Sequence, residues 1–181
     1  MPSPPTGTIV SLITEEEIRA RTLELAVEMA RTLPEDMLIV ALLRGSFIFA
    51  ADLLRALHSV GARPQVDFMT LSSYGASLTS SGNITVHRDI AEEVGGRHIL
   101  LLDDILESGR TLTFAYQELL KRGAKDISIA VLLEKPGKRA PGIAVKADFV
   151  GFTIPDKFVV GYGLDCANYF RELPFIGVLE Q

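Results

Sequence analysis

Asp103 and Asp104 stand side by side after the apolar run Ile99–Leu102 and are followed by the short polar loop Glu107-Ser108-Gly109-Arg110-Thr111. Backbone N–H groups at a helix start have no partner inside the helix and carry roughly half a positive charge, so such a loop opening a helix is suited to a phosphate. Gly109 permits a close approach. Carboxylates repel phosphate, so Asp103 and Asp104 make sense facing hydroxyls or a magnesium ion while the loop beyond them takes the phosphate. This order of groups suits a phosphorylated sugar. Two other readings use the same residues. In one, Asp104 merely ends a buried strand and Ser108 caps the next helix. In the other, the paired acids hold magnesium in a phospho-acceptor receiver domain. Position argues against the latter, because the acids lie past mid-chain and a Ser/Gly/Thr cradle has no purpose if a carboxylate carries the phosphate.

The surrounding pattern alternates helix and strand, predicting an α/β fold with a mainly parallel central sheet flanked by helices. Thr14-Glu15-Glu16-Glu17 is a capping-box start, and Ile18, Leu25, Ala26, Met29 and Leu33 recur at helical spacing up to Pro34. Met37–Leu43 reads as a buried strand. After Arg44-Gly45-Ser46, a second helix is predicted to present Phe47, Ala50, Leu54 and Leu57 on one face and to end at Gly61. Strands are expected at Val66–Leu71, Ile84–Arg88, His98–Leu102 and Ile127–Leu133, with a helix over Thr111–Lys121 stopped by Gly123. Phe149–Phe152, Val159–Tyr162 and Phe175–Leu179 are short strands expected to form a hood beside the main sheet. The functional candidates Arg44, Asp104 and Lys135 all follow strands, where open α/β sheets gather ligands.

A length of 181 residues fits one domain, with residues 1–8 as a flexible arm, 72–83 as a mobile loop and 146–181 as the hood segment. With 48% hydrophobic and 23% charged residues the chain is neither disordered nor fibrous. Met37–Leu43, its longest wholly apolar run, is too short to span a bilayer. The N-terminal residues lack the basic and apolar regions of a secretory signal, so a cytoplasmic location is expected. A single cysteine, Cys166, excludes an internal disulfide and a multi-cysteine zinc site and is read as packing. His58, His87 and His98 are scattered and read as structural. The formal charge of −5 disfavours nucleic acid as a partner, and an acidic chain that takes a polyanion needs local cations such as magnesium.

Ile99–Thr111 resembles the phosphoribosyl pyrophosphate signature of the type I phosphoribosyltransferases. Leu42-Leu43-Arg44-Gly45-Ser46-Phe47, Ser72-Ser73-Tyr74-Gly75, Leu132-Leu133-Glu134-Lys135-Pro136 and Asp148 through Arg171 are similar to the successive landmarks of the hypoxanthine-guanine phosphoribosyltransferases, in the same order. The resemblance, covering about Thr14 to Leu179, implies the type I phosphoribosyltransferase fold. It also implies transfer of a phosphoribosyl group from phosphoribosyl pyrophosphate to a 6-oxopurine, with hypoxanthine as first choice.

The same likeness implies a role for each landmark. Glu107, Ser108, Gly109, Arg110 and Thr111 would bind the 5′-phosphate. Asp103 and Asp104 would order the ribose hydroxyls and the magnesium shell, with Asp165 a further magnesium ligand. Arg44, Gly45 and Arg171 would take pyrophosphate, and the Arg44–Gly45 bond is expected to be cis. Lys135, Phe158 and Val159 would recognise the purine, and Ser73 and Tyr74 would tip a loop that closes over substrates. Glu107 departs from the family pattern, which has aspartate there as the presumed general base. The carboxylate is kept, but the extra methylene changes its reach, leaving base preference and efficiency open. The resemblance also implies a homodimer or homotetramer and no membrane partner. The alternatives are a non-enzymatic nucleotide-sensing regulator on the same fold and a guanine- or xanthine-preferring enzyme.

Overall fold

The structure, a computed structural model, describes residues 5–73 and 84–180. The first elements are β1 (Thr8–Ile13), α1 (Glu15–Thr32), β2 (Leu38–Leu43), α2 (Phe47–Ser59), β3 (Gln65–Ser73) and β4 (Ile84–Arg88). They are followed by β5 (His98–Leu106), α3 (Arg110–Lys121), β6 (Asp126–Glu134), β7 (Phe149–Thr153), β8 (Val159–Val160) and β9 (Ile176–Glu180). A 3-10 turn, Pro136–Lys138, lies between β6 and β7.

Six strands form the central sheet in the order β4-β3-β2-β5-β6-β7. All neighbours are parallel except β3 and β4. Successive strand side chains point to opposite faces, which sorts the core into two layers. Ile39, Ala41, Leu100 and Leu102 meet Ile18, Leu25 and Met29 of α1 and Phe49 and Leu53 of α2 on one face. Leu38, Val40, Ile99 and Leu101 meet Leu112, Ala115 and Leu119 of α3 on the other. Because both faces are covered, β2 reads as a continuous apolar run. The α1 capping box forms: Thr14 Oγ1 accepts from Glu17 N at 3.3 Å and Glu17 Oε2 accepts from Thr14 N at 2.8 Å.

Several expectations are corrected. β1, which sequence reading did not anticipate, pairs antiparallel with β9; with β8 these form a second, three-stranded sheet, so the hood takes strands from both ends of the chain. β7, assigned to the hood from sequence, extends the main sheet beside β6, where Arg21 Nε and Nη2 donate to its Gly151 and Val150 carbonyls at 3.1 and 3.0 Å. The α2 face is rotated: Phe49, Ala50, Leu53 and Leu57 are buried while Phe47 is 44% exposed. β5 runs to Leu106, so Asp103 and Asp104 belong to the strand itself.

Candidate functional site

Strands β2, β5 and β6 end at one edge of the sheet, and their carboxyl ends bring the candidate residues together. Leu43, the last residue of β2, is joined to Arg44 by a cis peptide bond, one bond earlier than expected. Buried Ser46 then donates its hydroxyl to Leu42 O at 2.6 Å, fixing the turn into α2. Gly45 has a steric reason here: a Cβ would overlap the Asp104 carboxylate. Gly163, at φ +100°, closes the other side, since its own Cβ would strike the Gly45 carbonyl. Sequence reading missed Gly163, because only the folded chain shows what faces it.

Asp103 and Asp104 occupy the middle of this edge. Burial pushes the Asp103 carboxyl well above the usual carboxylate range, and the adjacent Asp104 pushes it further. Burial raises Asp104 too, against hydrogen bonds from Asp103 and backbone N–H groups and the nearby Arg171 charge, all of which favour its ionised form. Two acids crowded in this way favour a partner that brings positive charge or hydroxyl donors.

Beyond them, Gly109 is the N-cap of α3 at φ +77°. The need for glycine there is not only substrate approach, because a Cβ would lie 2.7 Å from Ile143 Cγ2. The N-cap Gly109 offers no side-chain bond; Ser108 Oγ accepts from Arg110 N at a long 3.4 Å, and no N-cap side chain covers the rest of the first turn. The cleft, about 270 Å³, is lined by Arg44, Gly45, Asp103, Asp104, Glu107, Ser108, Gly109 and Thr111 together with neighbouring apolar residues. Ser108 and Thr111 thus face it rather than the interior.

Across β5, Lys135 is only 5% exposed and its Nζ lies 3.7 Å from Glu107 Oε2. Arg171 Nη1 donates to Gly163 O at 2.5 Å and Nη2 pairs with Asp165 Oδ1 at 2.6 Å, while Asp165 Oδ2 accepts from Asn168 N at 2.7 Å. Val159 is buried in β8, and Phe158 is 56% exposed beside it. Neither lines the 270 Å³ cleft, nor does the exposed Arg110. Ser73 ends β3, and Tyr74 lies outside the described residues. Arg139, which sequence reading did not single out, reaches back to the carbonyls of Leu106 and Glu107 at 2.9 and 2.7 Å.

The histidines stay away from the cleft: His87 Nε2 pairs with Ser72 Oγ at 2.5 Å, and His98, at the opposite end of β5, lies against Ser128 and Asp126. A larger cavity, about 750 Å³, lies between α1 and α2 beside Tyr162. There Tyr162 Oη donates to Asp52 Oδ2 at 2.7 Å and Arg55 pairs with Asp52 Oδ1 at 2.8 Å, and none of the candidate residues lines it.

Among the described residues no three metal-ligating side chains converge. Two adjacent carboxylates without a third suit magnesium, which is bound through one or two carboxylates together with substrate phosphates.

The family model described as "Phosphoribosyl transferase domain" matches residues 16–167. The hypoxanthine phosphoribosyltransferase of Escherichia coli K12 is 42% identical over 173 residues, 94% of each chain. The hypoxanthine-guanine phosphoribosyltransferase of Bacillus subtilis is 44% identical over 170 residues, 93% of this chain and 92% of that one. The crystal structure of a hypoxanthine-guanine phosphoribosyltransferase from Bacillus anthracis superposes with a TM-score of 0.87 at 36% identity, covering 96% of this chain and 99% of that chain.

Proposed function

The chain belongs to the phosphoribosyltransferase family, and on that premise we propose that it is a purine-salvage enzyme. It transfers the 5-phosphoribosyl group of phosphoribosyl pyrophosphate to hypoxanthine, and to guanine, giving IMP or GMP and pyrophosphate. A ring nitrogen of the purine forms the new bond to the anomeric carbon as the bond from that carbon to pyrophosphate oxygen breaks. Pyrophosphate leaves with the electron pair, and the purine N–H proton passes to Glu107.

The observation that carries this reading is the crowded acid pair lining one cleft with the start of α3, with buried Lys135 just beyond the end of β6 and 3.7 Å from Glu107. Ser108, Thr111 and the first backbone donors of α3 hold the 5′-phosphate, with Gly109 shaping the loop and Arg110 at its outer edge. Asp103 and Asp104 order the ribose hydroxyls, and their charge is better matched to the oxocarbenium-like transition state than to the ground state. Arg44, with its planar fork, and Arg171 take the pyrophosphate, while Gly45 keeps the Asp104 carboxylate in place. Lys135 donates to the purine 6-oxo group, Phe158 stacks on the base and the Val159 backbone meets its far edge. Asp103 and Asp104 would hold magnesium, with Asp165, which does not converge with that pair, as a separate ligand; when bound, the ion would neutralise charge on the departing pyrophosphate.

We assign the protein to the cytoplasm as a homodimer or homotetramer, with no nucleic-acid or membrane partner; no helix among the described residues is long and apolar enough to cross a membrane. Light scattering at working concentration checks the assembly. The non-catalytic regulator is not favoured, given enzymes matched over nearly the whole chain.

The test is incubation with phosphoribosyl pyrophosphate, magnesium and each of hypoxanthine, guanine, xanthine and adenine. Nucleotide is expected from hypoxanthine and guanine. No nucleotide from any base would overturn the reading.

A further inference from the structure

We infer that Arg139 is a positioning residue for purine recognition, clamping together the two strand ends that carry Glu107 and Lys135; the inference rests on the purine-transfer reading above. Arg139 follows the turn Pro136–Lys138, which directs its half-buried guanidinium back over the ends of β5 and β6. Nη1 donates to Leu106 O at 2.9 Å and Glu107 O at 2.7 Å, with a longer contact to Lys135 O at 3.4 Å. Nη2 donates to Glu134 Oε1 at 2.5 Å, which holds the fork in its plane. Two backbone bonds run alongside, Lys135 N to Leu106 O and Ala140 N to Ser108 O, both 3.0 Å.

Carbonyls where a sheet ladder ends need partners from outside the ladder. A planar guanidinium with five donors engages several of them from one position; a lysine ammonium at that site, on a shorter reach and with a single nitrogen, does not. Glu107 and Lys135 come from different strands, yet both must meet one planar base, so their separation has to be set by something rigid. Their own side-chain contact is the long 3.7 Å pair. Arg139 supplies the tie through the main chain.

Beyond Glu107 the 5′-phosphate loop has further support that does not pass through the Arg139 guanidinium. Gly109 packs against Ile143 and Val145, and α3 is anchored in the core by Leu112 and Ala115. Loss of Arg139 is therefore expected to loosen the purine side of the cleft more than the sugar-phosphate side.

The test is steady-state kinetics of the full chain with Arg139→Ala and Arg139→Lys beside the wild type, varying hypoxanthine and phosphoribosyl pyrophosphate separately. Both variants are expected to raise KM for hypoxanthine about tenfold or more while KM for phosphoribosyl pyrophosphate stays within about twofold. Added guanidinium ion at non-denaturing concentration is expected to restore part of the Arg139→Ala activity. Unchanged kinetics in both variants would overturn the inference. So would equal rises in both KM values without guanidinium rescue, which mark a purely structural role. Should Arg139→Ala fail to fold, the KM comparison in Arg139→Lys decides. Wild-type protein that forms no nucleotide removes the purine-transfer reading and this inference with it, whereas active wild type with unaltered variants removes the inference alone.

Discussion

At the start of α1 and around Asp67 of β3, polar groups pair within the protein: Thr14 and Glu17 cap each other, and Asp67 accepts from Phe68, Ala91 and Glu92 backbone N–H groups at 2.7, 2.5 and 3.0 Å. At the start of α3 and around Asp103 and Asp104, the fold leaves the helix without a side-chain cap and presses two acids together. Burial acts to raise the Asp67 carboxyl, but its three backbone donors and nearby Arg88 prevail and hold it below the usual carboxylate range. The difference teaches which polar groups stabilise the fold and which wait for a ligand. The crowded acids and the helix start without an N-cap side chain lie where a phosphorylated sugar is proposed to bind.

That division can be broken most severely at Gly45. Gly45→Ala places a methyl group where the Asp104 carboxylate sits, and kcat/KM is expected to fall on the order of a hundredfold, because displacements of about an ångström have that effect. Circular dichroism on the same sample checks that the fold persists. The double variant Ser108→Ala, Thr111→Val removes hydroxyls from the cleft and should raise KM for phosphoribosyl pyrophosphate about tenfold with little change in melting temperature.

On the satisfied side the signs reverse. Asp67→Asn should cost about 2 kcal/mol of stability at pH 7, read by urea denaturation, with turnover of the folded protein nearly unchanged. Because the folded-state pKa of Asp67 is lowered, its contribution is fully present above the unfolded value of about 3.9 and is lost as pH falls through the folded value. The wild-type advantage over Asp67→Asn should shrink on acidification. Asp103 and Asp104 work oppositely: their folded-state values are raised, so in ligand-free protein their contribution is lost as pH climbs from about 3.9 through the folded values. Thr14→Ala is the mildest change, expected to cost about 1 kcal/mol in the same denaturation measurement and to leave activity alone.

Much of this layout is legible in the chain. The capping box at Thr14 and the apolar β2 are local patterns that form where their residues predict, and the acid pair leads toward the Gly109 loop, though from within β5 and not from beyond its end. What escaped was non-local. β1 alternates on a largely exposed strand and acquires its role only by pairing with β9 at the far end of the chain. β7 is short, and only its register with β6 places it in the main sheet. Phe47 has the hydrophobicity of a core residue, but the turn held by Ser46 rotates α2 so that Phe49 points inward instead. At the site, Arg44, Asp104 and Lys135 are candidates by their places after strands and by the family resemblance, while Arg139 and Gly163 meet main-chain carbonyls that sequence pattern does not reveal.

The most direct measurement is the rate of nucleotide formation from hypoxanthine, phosphoribosyl pyrophosphate and magnesium by the double variant Asp103→Asn, Asp104→Asn, with its ligand-free melting temperature at pH 8 taken on the same sample. The account predicts a loss of about a thousandfold or more in rate together with an unchanged or higher melting temperature, since relieving the crowded acids removes charge repulsion but also the groups that face the sugar. A variant that keeps the wild-type rate, or that loses activity only because it melts lower, would contradict it.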